Sequence, residues 1–172
     1  TGIKWTRSFK NLHSLGTLSA REKEFGFLLV QDLLPVRGRI HRVNADKRCL
    51  RKGTTGDCQL VQDRIHYFIS CTSVIATFSM FKKNLERFLK RKVLDLEILH
   101  LSFAVTNKRR TRVGIWLALK FMFYLFSENM LDLRAVLIKI RCDIEVFKKI
   151  KSNIFMSSEF KELEEAVNFW IG

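Results

Sequence analysis

Residues 134–147 read RAVLIKIRCDIEVF. Val136, Ile138, Ile140, Cys142, Ile144 and Val146 occupy every second position, with Lys139, Arg141, Asp143 and Glu145 between them. Successive side chains of a strand point to opposite faces, so this period of two predicts a strand with one face buried and one in water. The fold class follows from that reading: α+β, an antiparallel sheet packed against two or three helices.

Working outward, RIHYFISCTSVIAT over residues 64–77 is rich in β-branched and aromatic residues and predicts a long strand. LDLEILHLSFAV over 94–105 alternates and slips phase near His100, as a bulged strand does. Between them, SMFKKNLERFLKRK over 79–92 places Phe81, Leu85, Phe88 and Leu89 at helical spacing behind a Ser79 N-cap. Its outer face would carry Lys82, Lys83, Arg87, Lys90, Arg91 and Lys92.

The stretch TNKRRTRVGIWLALKFMFYLF, residues 106–126, runs four cations into fourteen mostly apolar residues. A spanning helix needs about 20 apolar residues, so this run, with Lys120 inside it, does not span a membrane. It reads as a core element behind a solvated basic turn. Its Ala, Leu and Met favour a helix, without settling helix against strand.

At the chain ends, Ser19-Ala20-Arg21-Glu22 is a capping box opening a helix toward Leu34 and stopped by Pro35. A second Ser-capped helix closes the chain, with Phe160, Leu163, Val167 and Trp170 as its buried stripe. The expected organisation is a basic N-terminal arm over 1–18, ordered by a partner or helical, then a single α+β domain over 19–172. A Lys- and Arg-dense loop over 36–57 interrupts that domain.

Charge is distributed unevenly. Residues 1–56 hold twelve basic and four acidic side chains, residues 57–112 eleven and five, and residues 113–172 eight and eight. The whole excess of +14 therefore precedes Val113, and such a field attracts polyanions or an anionic membrane surface.

Motifs for chemistry are lacking. Lys52-Gly53-Thr54-Thr55-Gly56 has no upstream Gly of a phosphate-binding loop, and the carboxylates of the last helix cap and solvate it. The four cysteines and four histidines show no short paired spacing for zinc, Cys49 and Cys58 with His41 coming nearest. The sequence thus predicts no enzyme, metal or cofactor, and cysteines that are reduced, mostly buried cytosolic thiols.

The segment Asn153 to Phe160, NIFMSSEF, leading into KELEEAVNFWIG, resembles the end of rhabdovirus matrix proteins, particularly plant-infecting ones. There a strand precedes a Ser-Ser-x-Phe-like helix start and an amphipathic helix ending in an aromatic. The resemblance implies a self-associating structural protein that bridges ribonucleoprotein, or its nucleocapsid protein, and the inner face of the virion envelope, and drives assembly and budding. In the host cell it would be a cytoplasmic, peripheral membrane protein. Pro35 is the sole proline, so the proline-rich budding motif of many animal-infecting members is lacking. Membrane or nucleoprotein binding would fall to Lys4, Arg7, Lys10, Lys82, Lys83, Arg87, Lys90, Arg91, Lys92, Lys108, Arg109, Arg110 and Arg112, the last four joining the 79–92 helix in one patch. The alternative is direct RNA contact by an RNA-binding protein such as a viral silencing suppressor or nucleic-acid chaperone.

Overall fold

Helices dominate the computed structural model, which describes residues 5–15, 18–39, 46–53, 56–150 and 157–172. They are α1 (Trp5–His13), α2 (Ala20–Val30), α3 (Ile75–Leu89), α4 (Asp95–Leu99), α5 (Lys108–Ser127), α6 (Leu133–Ile150) and α7 (Ser157–Ile171). The only strands among the described residues are β1 (Lys52–Gly53) and β2 (Gly56–Asp57), a two-residue antiparallel hairpin. The expected α+β fold with its antiparallel sheet is therefore corrected to an all-helical bundle with one small hairpin.

The reason lies in α6. Leu133, Val136, Leu137, Ile140 and Ile144 are buried, a stripe of helical period, while Ile138, Cys142 and Val146 of the alternating set are exposed. One run of residues satisfied both periods. A helix satisfies its own backbone hydrogen bonds, whereas a strand here would lack a partner among the described residues.

The other two expected strands fail for local reasons. Within residues 64–77, Asp63 accepts from the His66 amide at 2.7 Å and starts a π-helical turn, His66–Ser70, that leads into α3. Helix α3 consequently begins before Ser79, and it ends at Lys90, whose left-handed φ of 54° stops it short of Lys92. Within residues 94–105, Glu97 accepts from the amides of Leu94 and Ala104 and from Arg91, which folds a helical turn and a reversal at Leu101 around one carboxylate. The phase slip near His100 marks the end of α4, not a bulge.

Helix α5 is the axis of the bundle. Its residues from Val113 to Leu125 are all buried, Lys120 included. The basic residues from Lys108 onward form its first turns, with Asn107 as N-cap accepting from the Arg110 amide at 3.0 Å, so the expected solvated turn is part of the helix. Phe81 of α3 stacks on Phe121 at 4.1 Å between centroids, and Phe25 of α2 meets Phe123 edge-on at 5.5 Å. The segment expected as an arm forms α1, which packs on α2 through Phe9 and Phe27 and is tied by Asn11 Nδ2 donating to the Leu101 carbonyl at 2.7 Å.

Inside this apolar surround, the Lys120 ammonium meets Glu22 of α2 and, at 2.7 Å, Asp143 of α6. Tyr124 donates to the same Asp143 oxygen at 2.5 Å. Glu22 also accepts from the Ser19 amide and hydroxyl, so the capping box read from sequence is one end of a buried ionic network.

Two tests follow from this packing. Ile140→Lys buries an uncompensated charge and is expected to cost at least about 3 kcal/mol in urea unfolding, while Ile138→Lys stays within about 0.5 kcal/mol; equal losses would contradict the helical register. Lys120→Met leaves Glu22 without its ionic partner and is expected to cost about 3–5 kcal/mol, with partial recovery when Glu22→Gln and Asp143→Asn are added. A loss under about 1 kcal/mol for the single variant would remove the network from the core's essential contacts.

Candidate metal centre and cationic surfaces

Four side chains from the hairpin region and the π-helical turn after it converge. Cys49, Cys58, His66 and Cys71 are all buried, and their ligand atoms lie within 4.8 Å of one another. Cys49 Sγ is 3.7 Å from Cys71 Sγ, and Cys58 Sγ is 3.2 Å from His66 Nε2. Zinc with Zn–S near 2.3 Å and Zn–N near 2.0 Å puts tetrahedral ligand atoms about 3.5–3.8 Å apart. The Cys3His set therefore suits zinc.

Each ligand is delivered by local structure. The β1–β2 hairpin, extended by a bridge between Arg48 and Val61, lays Cys49 opposite the chain that carries Cys58. Cys49 N donates to the Leu60 carbonyl at 2.8 Å, and Cys58 N to the Arg51 carbonyl at 3.1 Å. The π-helical turn then closes with Cys71 N donating to the His66 carbonyl at 3.0 Å, which brings residue 71 back beside residue 66.

The surroundings support ligation. Gln62 Nε2 donates to Cys49 Sγ at 3.5 Å, and the Gln62 Oε1 accepts from the Arg37 amide at 3.3 Å. Gly38 closes this outer layer: its amide donates to the Gln62 carbonyl at 2.8 Å, and a Cβ at residue 38 would lie 2.7 Å from that oxygen. Arg51, buried, stacks over the Tyr67 ring at 3.8 Å and donates to the Tyr67 carbonyl, setting a positive charge next to the thiols. Three thiolates and one Zn²⁺ leave a net charge of −1, which this guanidinium offsets.

Burial pushes the Cys49 thiol up. Burial also acts to raise Cys71, but the Ser73 amide and hydroxyl, the Cys49 thiol and the Arg51 charge outweigh it, and that thiol is lowered. Burial, aided by Arg51 and opposed by Asp63, lowers His66 and favours the neutral imidazole that a metal requires. With four protein ligands and no exposed face, the set has the closed form of a structural centre, not the open fourth position of a catalytic one.

The expectation of no metal rested on spacing. The pattern is Cys-x8-Cys-x7-His-x4-Cys, where a hairpin replaces the usual short first pair, and His66 had been assigned to a strand. The legible signal was His66-x4-Cys71, within the usual spacing of a second ligand pair, following two cysteines separated by Gly53 and Gly56. His41, the nearest histidine in the sequence reading, lies outside the described residues.

The cations of the 79–92 helix and of residues 108–112, expected to form one patch, are divided between two places, and the expected arm cations Arg7 and Lys10 lie at one of them. Lys4 lies outside the described residues. On α3 and its exit, acids take up much of the charge: Lys82 pairs with Asp95 at 2.5 Å, Arg91 with Glu97 at 3.0 Å and Lys92 with Glu86 at 3.3 Å. Arg87, Lys90 and Arg110 share a recess with Glu162 and Glu165 of α7, and Lys83 and Arg109 are exposed. Lys108 and Arg112 turn the other way, toward Arg7 and Lys10 of α1, so the first turns of α5 divide the expected patch.

Comparison of the chain with protein-family models, with curated proteins and with solved structures returns no match.

Removing zinc with a strong chelator is expected to cost at least about 3 kcal/mol, lowering the thermal midpoint by roughly 6–12 °C, with recovery on adding zinc back. Cys71→Ser should lose that zinc dependence, and Gly38→Ala should weaken metal retention by pushing Gln62 away from Cys49. An unchanged midpoint after verified metal removal would contradict a structural role.

Proposed function

We propose that this chain is a non-enzymatic, zinc-organised nucleic-acid-binding module. The observation that carries the reading is the closed, buried Cys3His set, whose first ligand, Cys49, lies in a basic stretch of the sequence with Arg37, Arg39, Arg42, Lys47, Arg48, Arg51 and Lys52. A structural metal lets a segment too polar to form its own core hold cations in fixed positions, and fixed cations bind a phosphate backbone through release of its counterions. No open metal position is available for a water nucleophile, which supports a binding role over hydrolysis.

The matrix reading draws on the same charge and on the C-terminal resemblance. Residues 153–156 of that resemblance lie outside the described residues, and helix α6, Leu133–Ile150, precedes it where the resemblance implied a strand. Membrane attachment is accordingly the competing outcome of the test.

Zinc-loaded protein is expected to bind labelled RNA and DNA oligonucleotides with an affinity that falls linearly with log salt, and chelated protein to bind at least about tenfold more weakly. Binding to anionic vesicles but to no oligonucleotide would overturn the proposal in favour of the membrane reading. Equal oligonucleotide affinity with and without metal would separate the zinc from the function.

A further inference from the structure

Between α1 and the start of α5 lies a cavity of about 660 Å³, with Trp5, Arg7 and Lys10 on one wall and Lys108, Thr111 and Arg112 on the other. Among the described residues no carboxylate lines it. Trp5 is 39% exposed at its mouth, and its ring is held by an edge contact with the His100 ring at 5.9 Å, so an aromatic face is fixed beside the cations.

We infer that this groove holds an unpaired stretch of nucleic acid, with phosphates on Arg7, Lys10 and Lys108 and one base stacked on Trp5. The inference rests on the nucleic-acid reading proposed above and names where, and in what form, the strand binds. Cations on two facing walls follow a chain laid between them; a planar bilayer meets flat or convex surfaces and reaches recessed charges poorly. An exposed, fixed indole beside phosphate-binding cations is the arrangement that sequence-tolerant single-strand binders use, because every unpaired base offers a π face. In a duplex those faces are already stacked, and a recess of this volume is on the scale of a small-ligand pocket, about 300–1,000 Å³. Thr111, buried on the α5 wall, adds a hydroxyl to a site otherwise defined by charge.

The test measures anisotropy of a short fluorescein-labelled oligouridylate, and of its duplex with oligoadenylate, against the zinc-loaded full chain over a salt series. Arg7→Gln/Lys10→Gln/Lys108→Gln is expected to weaken single-strand binding at least about tenfold and to lower the salt slope by about 2, at about 0.7 for each lost phosphate contact. Trp5→Leu, which keeps apolar bulk against His100, is expected to weaken binding about tenfold and to abolish the quenching of tryptophan emission on binding. Lys82→Gln/Arg87→Gln/Lys90→Gln removes as much charge from α3 and is expected to change affinity less than about threefold. Zinc content and thermal midpoint identify any variant that misfolds, and the difference in emission quench between the unmodified protein and Trp5→Leu, in both of which Trp116 and Trp170 also emit, reads Trp5 independently of the charge variants. Binding by the unmodified chain that is insensitive to the groove variants, that is lost with the α3 variant, or that prefers duplex would overturn the groove. Absence of any oligonucleotide binding by the unmodified chain would instead overturn the nucleic-acid reading itself.

Discussion

A helix buried on every side, with an ammonium at its middle, constrains everything packed around it. From Val113 to Leu125 helix α5 has no polar face to turn to water, so that part must be enclosed, and α1, α2, α3, α6 and α7 all pack against α5. Lys120 makes that enclosure specific. An isolated charge in this surround would be prohibitively costly, so the helices that cover it must bring carboxylates to one point. Glu22 and Asp143 meet that demand from α2 and α6, and thereby fix the height of both helices along α5.

The candidate metal centre bears on a different problem in the same chain. Residues 46–71 cannot be held by burial of apolar surface alone, since Leu50, Leu60, Val61 and Ile65 are exposed. A metal held by the Cys3His set would cross-link the hairpin to the π-helical turn, and the Phe68 side chain, fully buried between His66 and Cys71 in sequence, anchors that turn in the helical core. Charge also divides by place: acids beside α3 pair with Lys82, Arg91 and Lys92, while Arg7, Lys10, Lys108 and Arg112 line a recess between α1 and α5.

Elements with chemically specific ends were the legible part of the sequence. Ser19 and Glu22 announced α2, and the fourteen apolar residues with one Lys announced a core element too short to cross a bilayer. Periodicity misled wherever β-branched residues were dense. Residues 134–147 fit a period of two along Val136, Ile138 and Ile140, yet Leu133, Val136, Leu137, Ile140 and Ile144 are the buried set. Nothing local distinguishes these readings; the choice belongs to α3, α5 and α7, the surfaces against which α6 packs. The candidate site was hidden for a related reason. Its ligands are gathered by a hairpin and a turn with an i+5 hydrogen bond, whose spacings match no short motif, and the strand assigned to residues 64–77 kept His66 and Cys71 apart. Charge counting found Arg7, Lys10, Lys108 and Arg112, but only the packing of α1 on α5 shows that they share one groove.

Cobalt substitution tests the centre most directly, because the absorption of Co²⁺ reports ligand type and coordination number together. Titrating metal-free, reduced protein with Co²⁺ should give intense visible bands of tetrahedral cobalt and a near-ultraviolet thiolate-to-cobalt band, both saturating at one ion per chain and displaced by zinc. Weak bands of six-coordinate cobalt, or no thiolate band while all four cysteines remain reduced, would contradict a Cys49, Cys58, His66, Cys71 centre and the fold account built on it.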